Sequence, residues 1–118
     1  MSFEHAAAVF AVRDLEASLK YYTEVLGFTH DFRFGSYAGI KRGPVSLHLN
    51  GHNVHQRPVG GGTVYIFCDE IDTYYAEIKQ KGAVVKDEPK DYPYGMRDFV
   101  AVDPDGNHLG FGCESKKA

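Results

Sequence analysis

The chain has 118 residues, of which 43% are hydrophobic and 25% charged, the composition of a single globular domain rather than of a disordered segment. The net charge of −3 and the absence of any basic run argue against a nucleic-acid partner. No apolar run approaches the roughly 18 residues of a membrane helix, and the start lacks the basic region of a signal peptide, so a cytoplasmic protein with no membrane partner is expected.

The first half of the chain predicts a strand, a helix and three more strands. Residues 6–12 are apolar and fit a buried strand. Asp14 is a suitable N-cap for a helix with apolar residues at helical spacing, and Gly27 is a suitable stop. The alternation that follows predicts strands at residues 28–34, 37–42 and 45–50.

The second half repeats this order after a connection at residues 51–62 that is rich in glycine, histidine and proline. Residues 63–68 are an apolar strand, Asp69 is the next N-cap candidate, and Gly82 ends the second helix. Residues 83–86 predict a short strand and 87–94 a loop. Strands at 97–102 and 108–112 then flank the turn sequence DPDGN.

The two halves are related by an internal repeat. Thirteen residues separate Asp14 from Gly27 and Asp69 from Gly82, and the preceding strands match at an offset of 55. This predicts one domain over 1–118 with duplicated βαβββ modules at about 4–52 and 61–114. Because neither module covers both faces of its sheet, we expect an α+β fold: the modules join edge to edge into one curved mixed sheet around a cleft, with the helices outside.

Two cysteines, Cys68 and Cys113, carry no disulfide pattern and indicate buried thiols in a reducing compartment. The aromatic loop YPYG at residues 92–95 precedes the closing hairpin. That loop and hairpin form either the rim and wall of a ligand cavity or an ordinary hairpin at the surface.

The whole chain resembles the vicinal oxygen chelate superfamily, which includes glyoxalase I, extradiol dioxygenases, fosfomycin-modifying enzymes and bleomycin-binding resistance proteins. The resemblance rests on the duplicated module, on the opening pattern V-x-D-L-x-x-S-x-x-Y-Y-x-x-V-L-G-F (residues 12–28) and on the closing D-P-D-G-N (residues 103–107). It implies the fold, but this fold hosts several chemistries as well as simple binding.

The enzymes of this superfamily hold a divalent metal with four side chains, at positions that correspond here to Ala7, His48, Thr63 and Gly110. His48 is the one strong ligand of the four, and a metal site with open positions needs about three. No cofactor is therefore expected. The alternative is a glyoxalase-type lyase or isomerase with a relocated metal site built from His5, His48 and His108.

The bleomycin-binding branch matches in more detail. Its D-F, F-A-G and W-G-x-x-x-F patterns resemble Asp31-Phe32, Tyr37-Ala38-Gly39 and Tyr94-Gly95 with Phe99. In that branch, aromatic residues at the positions of Tyr37 and Tyr94 sandwich the flat part of the drug at a dimer interface. The drug cleft of that branch is acidic, whereas Arg33, Lys41 and Arg42 stand near these positions here.

The resemblance and the alternation together predict a metal-independent homodimer that binds a small flat or aromatic compound, as in bleomycin sequestration. The expected ligand-binding residues are Phe32, Tyr37, His48, Asn50, Tyr65, Tyr94, Arg97 and His108. For Arg97 a surface pair with Asp98 or Asp103 is an open alternative. A third hypothesis is an interaction domain whose cleft is filled by its own aromatic side chains.

Overall fold

The computed structural model describes residues 1–117, so that Ala118, the last residue of the predicted domain, lies outside the described part. Two modules follow one another, and each begins with a strand that leads into a helix. No helix in the described part is long and apolar enough to cross a membrane.

Module 1 begins with strand β1 (Ala8–Ala11) and helix α1 (Leu15–Lys20), which continues as a π-helical turn over Tyr21–Val25. The predicted N-cap is confirmed, because the Asp14 side chain accepts a hydrogen bond from the Ala17 backbone N–H at 3.2 Å. Gly27 ends the helix with a φ of 80°, a conformation that glycine adopts without strain. Strands β2 (Thr29–Phe34), β3 (Tyr37–Arg42) and β4 (Val45–Asn50) complete the module.

Module 2 has the same order but shorter middle strands. It comprises β5 (Thr63–Phe67), α2 (Ile71–Gln80), β6 (Val84–Val85), β7 (Lys90–Asp91), β8 (Met96–Val102) and β9 (His108–Glu114), and a 3₁₀ turn, Ser115–Lys117, follows. Part of the predicted loop 87–94 is therefore the short strand β7, which pairs with β8.

The predicted N-cap Asp69 is wrong, because the helix starts one residue later, after Glu70. Glu70 has a φ of 51° and makes no capping hydrogen bond through its side chain. Asp14 and Glu70 are 56 residues apart, and the buried strand residues Phe10 and Ile66 are also 56 apart. The first strands and the helix starts therefore repeat at an offset of 56, whereas Gly27 and Gly82, which end the helices, keep the predicted offset of 55. In a strand, one residue exchanges the two faces.

The predicted α+β class is confirmed, with one mixed sheet in each module. The first sheet has the order β1-β4-β3-β2 and the second β5-β9-β8-β6. Within the described residues no strand of one sheet pairs with a strand of the other, so the expected edge-to-edge union into a single sheet is not what joins the modules. A common core of side chains from both helices and both sheets joins them instead.

The DPDGN turn between β8 and β9 is a second link between the modules. The buried Asp103 carboxylate accepts hydrogen bonds from the Tyr22 hydroxyl of module 1 at 2.9 Å and from the Asn107 backbone N–H at 2.8 Å. Asp105 accepts from the Arg13 guanidinium at 3.2 Å. Burial, followed by the charge of Asp103, raises the pKa of Tyr22. The motif that identifies the fold thus fixes module 2 against the helix of module 1.

Candidate functional site

Each sheet has one face packed on the core and one face turned away from it, because side chains alternate along a strand. On the second face of module 1 lie Phe32, Phe34, Tyr37 and His48, called here the module 1 aromatic face. The corresponding residues of module 2 are Tyr65, Phe67, Asp98 and, from the preceding loop, Tyr94, called the module 2 aromatic face. Several of these rings are exposed, Phe34 by 74% and Tyr94 by 64%.

Strand pairing brings together the module 1 residues that the sequence predicted. His48 on β4 lies beside Gly39 on β3, and Gly39 lies beside Phe32 on β2. Because glycine has no side chain, the Phe32 ring can lie over the strand at Gly39, where a Cβ atom would collide with it. The Phe32 ring therefore reaches His48, with 5.0 Å between the ring centres.

Tyr37 and His48 form a polar pair within this aromatic face. The Tyr37 hydroxyl and His48 Nδ1 lie 2.8 Å apart, and the two rings meet edge to face. Phe32 stacks on Tyr37 at a centre-to-centre distance of 6.2 Å. His48 is thus oriented by a hydrogen bond and by two rings, and it offers its remaining nitrogen to a bound molecule.

Asp98 is the centre of the module 2 aromatic face and was not among the predicted site residues. It is only 7% exposed, and its Oδ2 accepts hydrogen bonds from the hydroxyls of Tyr65 and Tyr94, each at 2.8 Å. Burial and the bond to Asp98 raise the pKa of Tyr65. The bond to Asp98 is the main reason that the pKa of Tyr94 is raised to about 12. Both tyrosines therefore stay neutral donors at physiological pH.

Two glycines form the floor beneath Tyr65. A Cβ atom at Gly110 would lie 2.9 Å from the Tyr65 ring, and one at Gly112 would collide with the Tyr65 hydroxyl. Gly110, which the resemblance aligns with a metal ligand, is therefore covered by an aromatic ring. The Phe67 ring packs edge to face on Tyr65, with centres 5.1 Å apart.

The aromatic loop forms an exposed edge of this face. Tyr92 and Tyr94 stack with 5.4 Å between ring centres and 10° between planes. Gly95 has a φ of 87°, which lets the chain turn back into β8 directly after Tyr94. Tyr94 is consequently held from two sides, by the Tyr92 ring and by Asp98, while most of its surface stays open.

One of the predicted residues lies on the opposite face of its sheet. Arg97 lies on the core-side face of β8, where its guanidinium binds both carboxylate oxygens of Asp72 at 2.9 and 2.8 Å. Its second partner is Asp91 at 3.4 Å, so that both partners considered from the sequence, Asp98 and Asp103, are wrong. The hydrogen bonds to Arg97 lower the pKa of Asp72.

Asn50 and His108 lie at the ends of their strands, Asn50 beside Tyr37 on the face that carries His48. The Asn50 side-chain oxygen accepts hydrogen bonds from the backbone N–H groups of His52 at 3.1 Å and Asn53 at 3.0 Å, and so it fixes the connection between the modules. His108 begins β9 beside Thr63, on the same face as Gly110 but two residues away from it.

The residues present do not fit the metal centre of the enzymes in this superfamily. On the adjacent strands, His48 lies between Val9 and Gly39. Gly110 lies between Tyr65 and Val100, and none of these four neighbours is a strong ligand. Within residues 1–117 no three histidine, cysteine, aspartate or glutamate side chains come together in a way that could hold a metal ion. This also leaves the relocated site of His5, His48 and His108 without a geometric basis.

Strand alternation gives a signal that could have revealed Asp98. Phe99 and Ala101 are core residues, which places Asp98 and Val100 on the other face, the same face as Tyr65. The hydrogen bond from Tyr94 to Asp98 requires the loop conformation and could not be read from spacing. The packing of aromatic side chains over Gly39 and Gly112 could not be read from spacing either.

Comparison with known proteins places this geometry in a family. The profile of the Glyoxalase/Bleomycin resistance protein/Dioxygenase superfamily matches residues 2–111. No curated protein matches the chain.

Solved structures agree with this match. TnmS3, an antibiotic binding protein from Streptomyces sp. CB03234, is 27% identical with a TM-score of 0.81, covering 98% of this chain and 99% of its own. A glyoxalase/bleomycin resistance protein from the same organism is 27% identical with a TM-score of 0.76, covering 93% of this chain and 100% of its own. The bleomycin-binding protein of bleomycin-producing Streptomyces verticillus, solved with copper(II)-bleomycin, is 24% identical with a TM-score of 0.76, covering 94% and 96%.

Proposed function

The chain belongs to the Glyoxalase/Bleomycin resistance protein/Dioxygenase superfamily, and from this premise we propose that it binds a small flat aromatic compound without a metal ion. The compound is held between the module 1 aromatic face of one protomer and the module 2 aromatic face of its partner. The role is sequestration of the compound rather than its chemical conversion.

The observation that carries this proposal is the exposure of organised aromatic rings on both faces. Phe34 and Phe67 are 74% and 73% exposed, and Tyr94 is 64% exposed. Exposed apolar patches of this kind mark binding surfaces, because monomeric soluble proteins rarely leave them uncovered. Rings that are held in place by neighbours lose little entropy when a flat molecule stacks on them.

Each aromatic face also carries a polar anchor that can orient a ligand. In module 1 the anchor is His48, which the Tyr37 hydroxyl holds at 2.8 Å. In module 2 the anchor is Asp98, which two tyrosine hydroxyls hold. Small-molecule sites usually combine an apolar wall with a small number of polar groups. A ligand with a hydrogen-bond donor facing Asp98 fits this arrangement best.

We propose a homodimer on the basis of the same geometry. In one chain both aromatic faces are open to solvent, and a flat molecule would be covered on one side only. A twofold dimer would place module 1 of one protomer opposite module 2 of the other and would create two equivalent clefts. We expect a cytoplasmic protein, in keeping with the free thiols of Cys68 and Cys113.

The relatives support binding rather than a particular ligand. TnmS3 is an antibiotic binding protein, and the Streptomyces verticillus protein binds copper(II)-bleomycin. The metal-dependent lyase or isomerase is the weaker alternative, because the donor set around His48 does not fit a metal ion.

The first experiment measures binding and oligomeric state. Sedimentation equilibrium is expected to give twice the chain mass of 13.1 kDa. Copper(II)-bleomycin and a panel of planar compounds, such as anthraquinone and acridine derivatives, are then screened by thermal shift, because a ligand that binds the folded state raises Tm. At least one planar compound is expected to stabilise the protein, and a panel without effect contradicts the proposal.

Two variants of one residue separate stacking from hydrogen bonding. Tyr94→Ala removes the ring and should weaken binding of the stabilising compound about tenfold, the range of one aromatic contact. Tyr94→Phe keeps the ring and loses only the bond to Asp98, so it should keep most of the affinity. Equal affinity of the Tyr94→Ala variant and the native chain would exclude the module 2 aromatic face as the site.

A further inference from the structure

A cavity of about 440 Å³ lies between the modules of a single chain, beside the start of α2. It is bounded by the β3–β4 turn of module 1 and by the end of β5 and the first turns of α2 in module 2. Phe67 is shared with the module 2 aromatic face, whereas His48, Tyr65, Tyr94 and Asp98 do not line it. Its volume falls in the range of about 300–1,000 Å³ that is usual for small-molecule sites.

Part of the wall of this cavity is apolar and belongs to the core. Phe28, Ile66 and Phe111 contribute to the walls and belong to the buried core of the protein. A cavity wall that is part of the core keeps its shape, because core side chains are closely packed. The site is therefore formed before any ligand arrives and needs no second protomer.

One cation at the cavity is already engaged. The Arg42 guanidinium donates a hydrogen bond to the Leu26 carbonyl at 3.2 Å and lies over the Tyr74 ring, 5.2 Å from its centre. The Tyr74 hydroxyl donates to the same carbonyl at 2.7 Å. These contacts hold the Arg42 guanidinium against one wall of the cavity.

Three exposed carboxylates line the cavity: Asp69, Glu70 and Glu77. None of them forms an ion pair with another residue in the range 1–117. The negative charge of Asp69 acts on the cavity wall. After burial and Cys113, it is the third cause of the raised pKa of Cys68. Three negative charges stand against the one positive charge of Arg42.

The start of α2 also lines the cavity and opposes these carboxylates. A helix N-terminus is equivalent to about half a positive charge. Adding it to Arg42 gives about 1.5 positive charges against three negative ones, so the site remains negative. The sign of the field therefore favours a cation over an anion, even though a helix N-terminus and an arginine are both present.

We propose that this cavity is a second binding site, which takes a small organic ammonium ion with a compact apolar body. The apolar body occupies the space between Phe28, Ile66 and Phe111, and the ammonium group points to the carboxylates that line the cavity. This site does not rest on the proposed function of the aromatic faces, because a single chain forms it.

The test uses two probes of the same shape and opposite charge, 1-aminoadamantane and 1-adamantanecarboxylate. Neither is flat, so neither can stack on the aromatic faces. Binding is followed by amide chemical shifts of the full-length protein at low salt. The amine is expected to bind at least tenfold more tightly than the carboxylate and to shift the amides of Cys68, Thr73 and Phe111. Raising the salt concentration to about 0.5 M should reduce the difference in affinity between the amine and the carboxylate.

Two variants locate the site. Thr73 is exposed on the first turn of α2 and lines the cavity, so that Thr73→Trp should fill the opening and abolish binding without affecting the core. The double variant Glu70→Gln/Glu77→Gln should weaken the amine about tenfold, because a carboxylate roughly 6 Å away in water contributes about threefold. Asp87→Asn/Glu88→Gln makes the same change of charge on an exposed loop and should have no effect.

Three results would overturn the proposal. The first is equal affinity for the amine and the carboxylate, and the second is undiminished binding to the Thr73→Trp variant. The third is the absence of any shift with 1-aminoadamantane at concentrations up to its solubility limit. Retention of amine binding by Tyr94→Ala, together with loss of planar ligands, would separate this site from the aromatic faces.

Discussion

The two modules share one topology but differ in what their exposed faces can do. In module 1, Phe32, Tyr37 and His48 contact one another across three strands, and the polar group is an imidazole. In module 2, a buried carboxylate, Asp98, holds two tyrosines. The duplicated architecture therefore presents two different chemical surfaces, and a ligand placed between them can be recognised from both sides by different groups.

The modules also differ in how they are fixed. The β3–β4 turn of module 1 contains Gly43, with a φ of 56°, and an added Cβ atom there would contact nothing within 4 Å. The equivalent turn of module 2, DPDGN, is bound to the first helix through Asp103 and Asp105. The turn of module 1 has open space around Gly43, whereas the turn of module 2 holds the modules together. Four sets of measurements test this comparison.

The largest effect is expected for Asp103→Ala. Asp103 is 5% exposed and accepts hydrogen bonds from Tyr22, Asp105 and Asn107. Its removal leaves these buried donors without an acceptor and should lower the free energy of unfolding by about 3–5 kcal/mol. Urea denaturation measures the change. Asp87→Ala, which removes an exposed carboxylate, serves as control and should stay within about 0.5 kcal/mol; a similar loss in both variants would show that the turn does not join the modules.

The second effect concerns the glycines beneath the aromatic rings. An added Cβ atom at Gly39 would collide with the Phe32 ring, and one at Gly112 would collide with the Tyr65 hydroxyl. Both Gly→Ala variants should lose about 1–3 kcal/mol in urea denaturation, the usual range for an overfilled site. Gly61→Ala is the control, because its backbone has no positive φ and an added Cβ atom there comes no closer than 3.4 Å to its nearest neighbour. Only Gly112→Ala should also break the hydrogen bond between Tyr65 and Asp98. If the tyrosines of this variant titrate as they do in the native protein, this geometry is contradicted.

The third effect is a dependence on alkaline pH that originates in module 2. The pKa of Tyr65 is raised by burial and by Asp98, and that of Tyr94 is raised to about 12 by Asp98. A raised pKa in the folded state contributes stability that is complete below pH 10 and is lost as the pH rises toward 12. Asp98→Asn removes the negative charge and should lower both pKa values toward 10. Absorbance of tyrosinate at 295 nm measures the titration, and equal curves for the two proteins would exclude the role of Asp98.

The smallest effect is expected for Arg97→Ala. Its pair with Asp72 is on the surface, and exposed ion pairs contribute little to stability. Because Arg97 lies on the core-side face of β8, the affinity for planar compounds should not change. A loss of affinity comparable to that of Tyr94→Ala would show that Arg97 contributes to binding, as the sequence predicts.

Much of the fold could be predicted from the sequence because its signals are local. Asp14 and Gly27 delimit the first helix as expected, and alternation placed His48 and Tyr65 on the exposed faces. The start of the second helix could not be predicted so well. Asp69 is a better N-cap by residue type, but the chain enters the helix through a left-handed Glu70 instead.

By itself, the sequence determined the duplicated modules, the superfamily and the alternation within single strands, because periodicity and turn residues act over a few positions. The tertiary structure decided which polar groups meet. It brought Tyr65, Tyr94 and Asp98 together from a strand, a loop and a second strand. On the opposite face of the same sheet, it paired Arg97 of β8 with Asp72 of α2. Such contacts depend on how strands pair and how helices pack, which no local pattern contains.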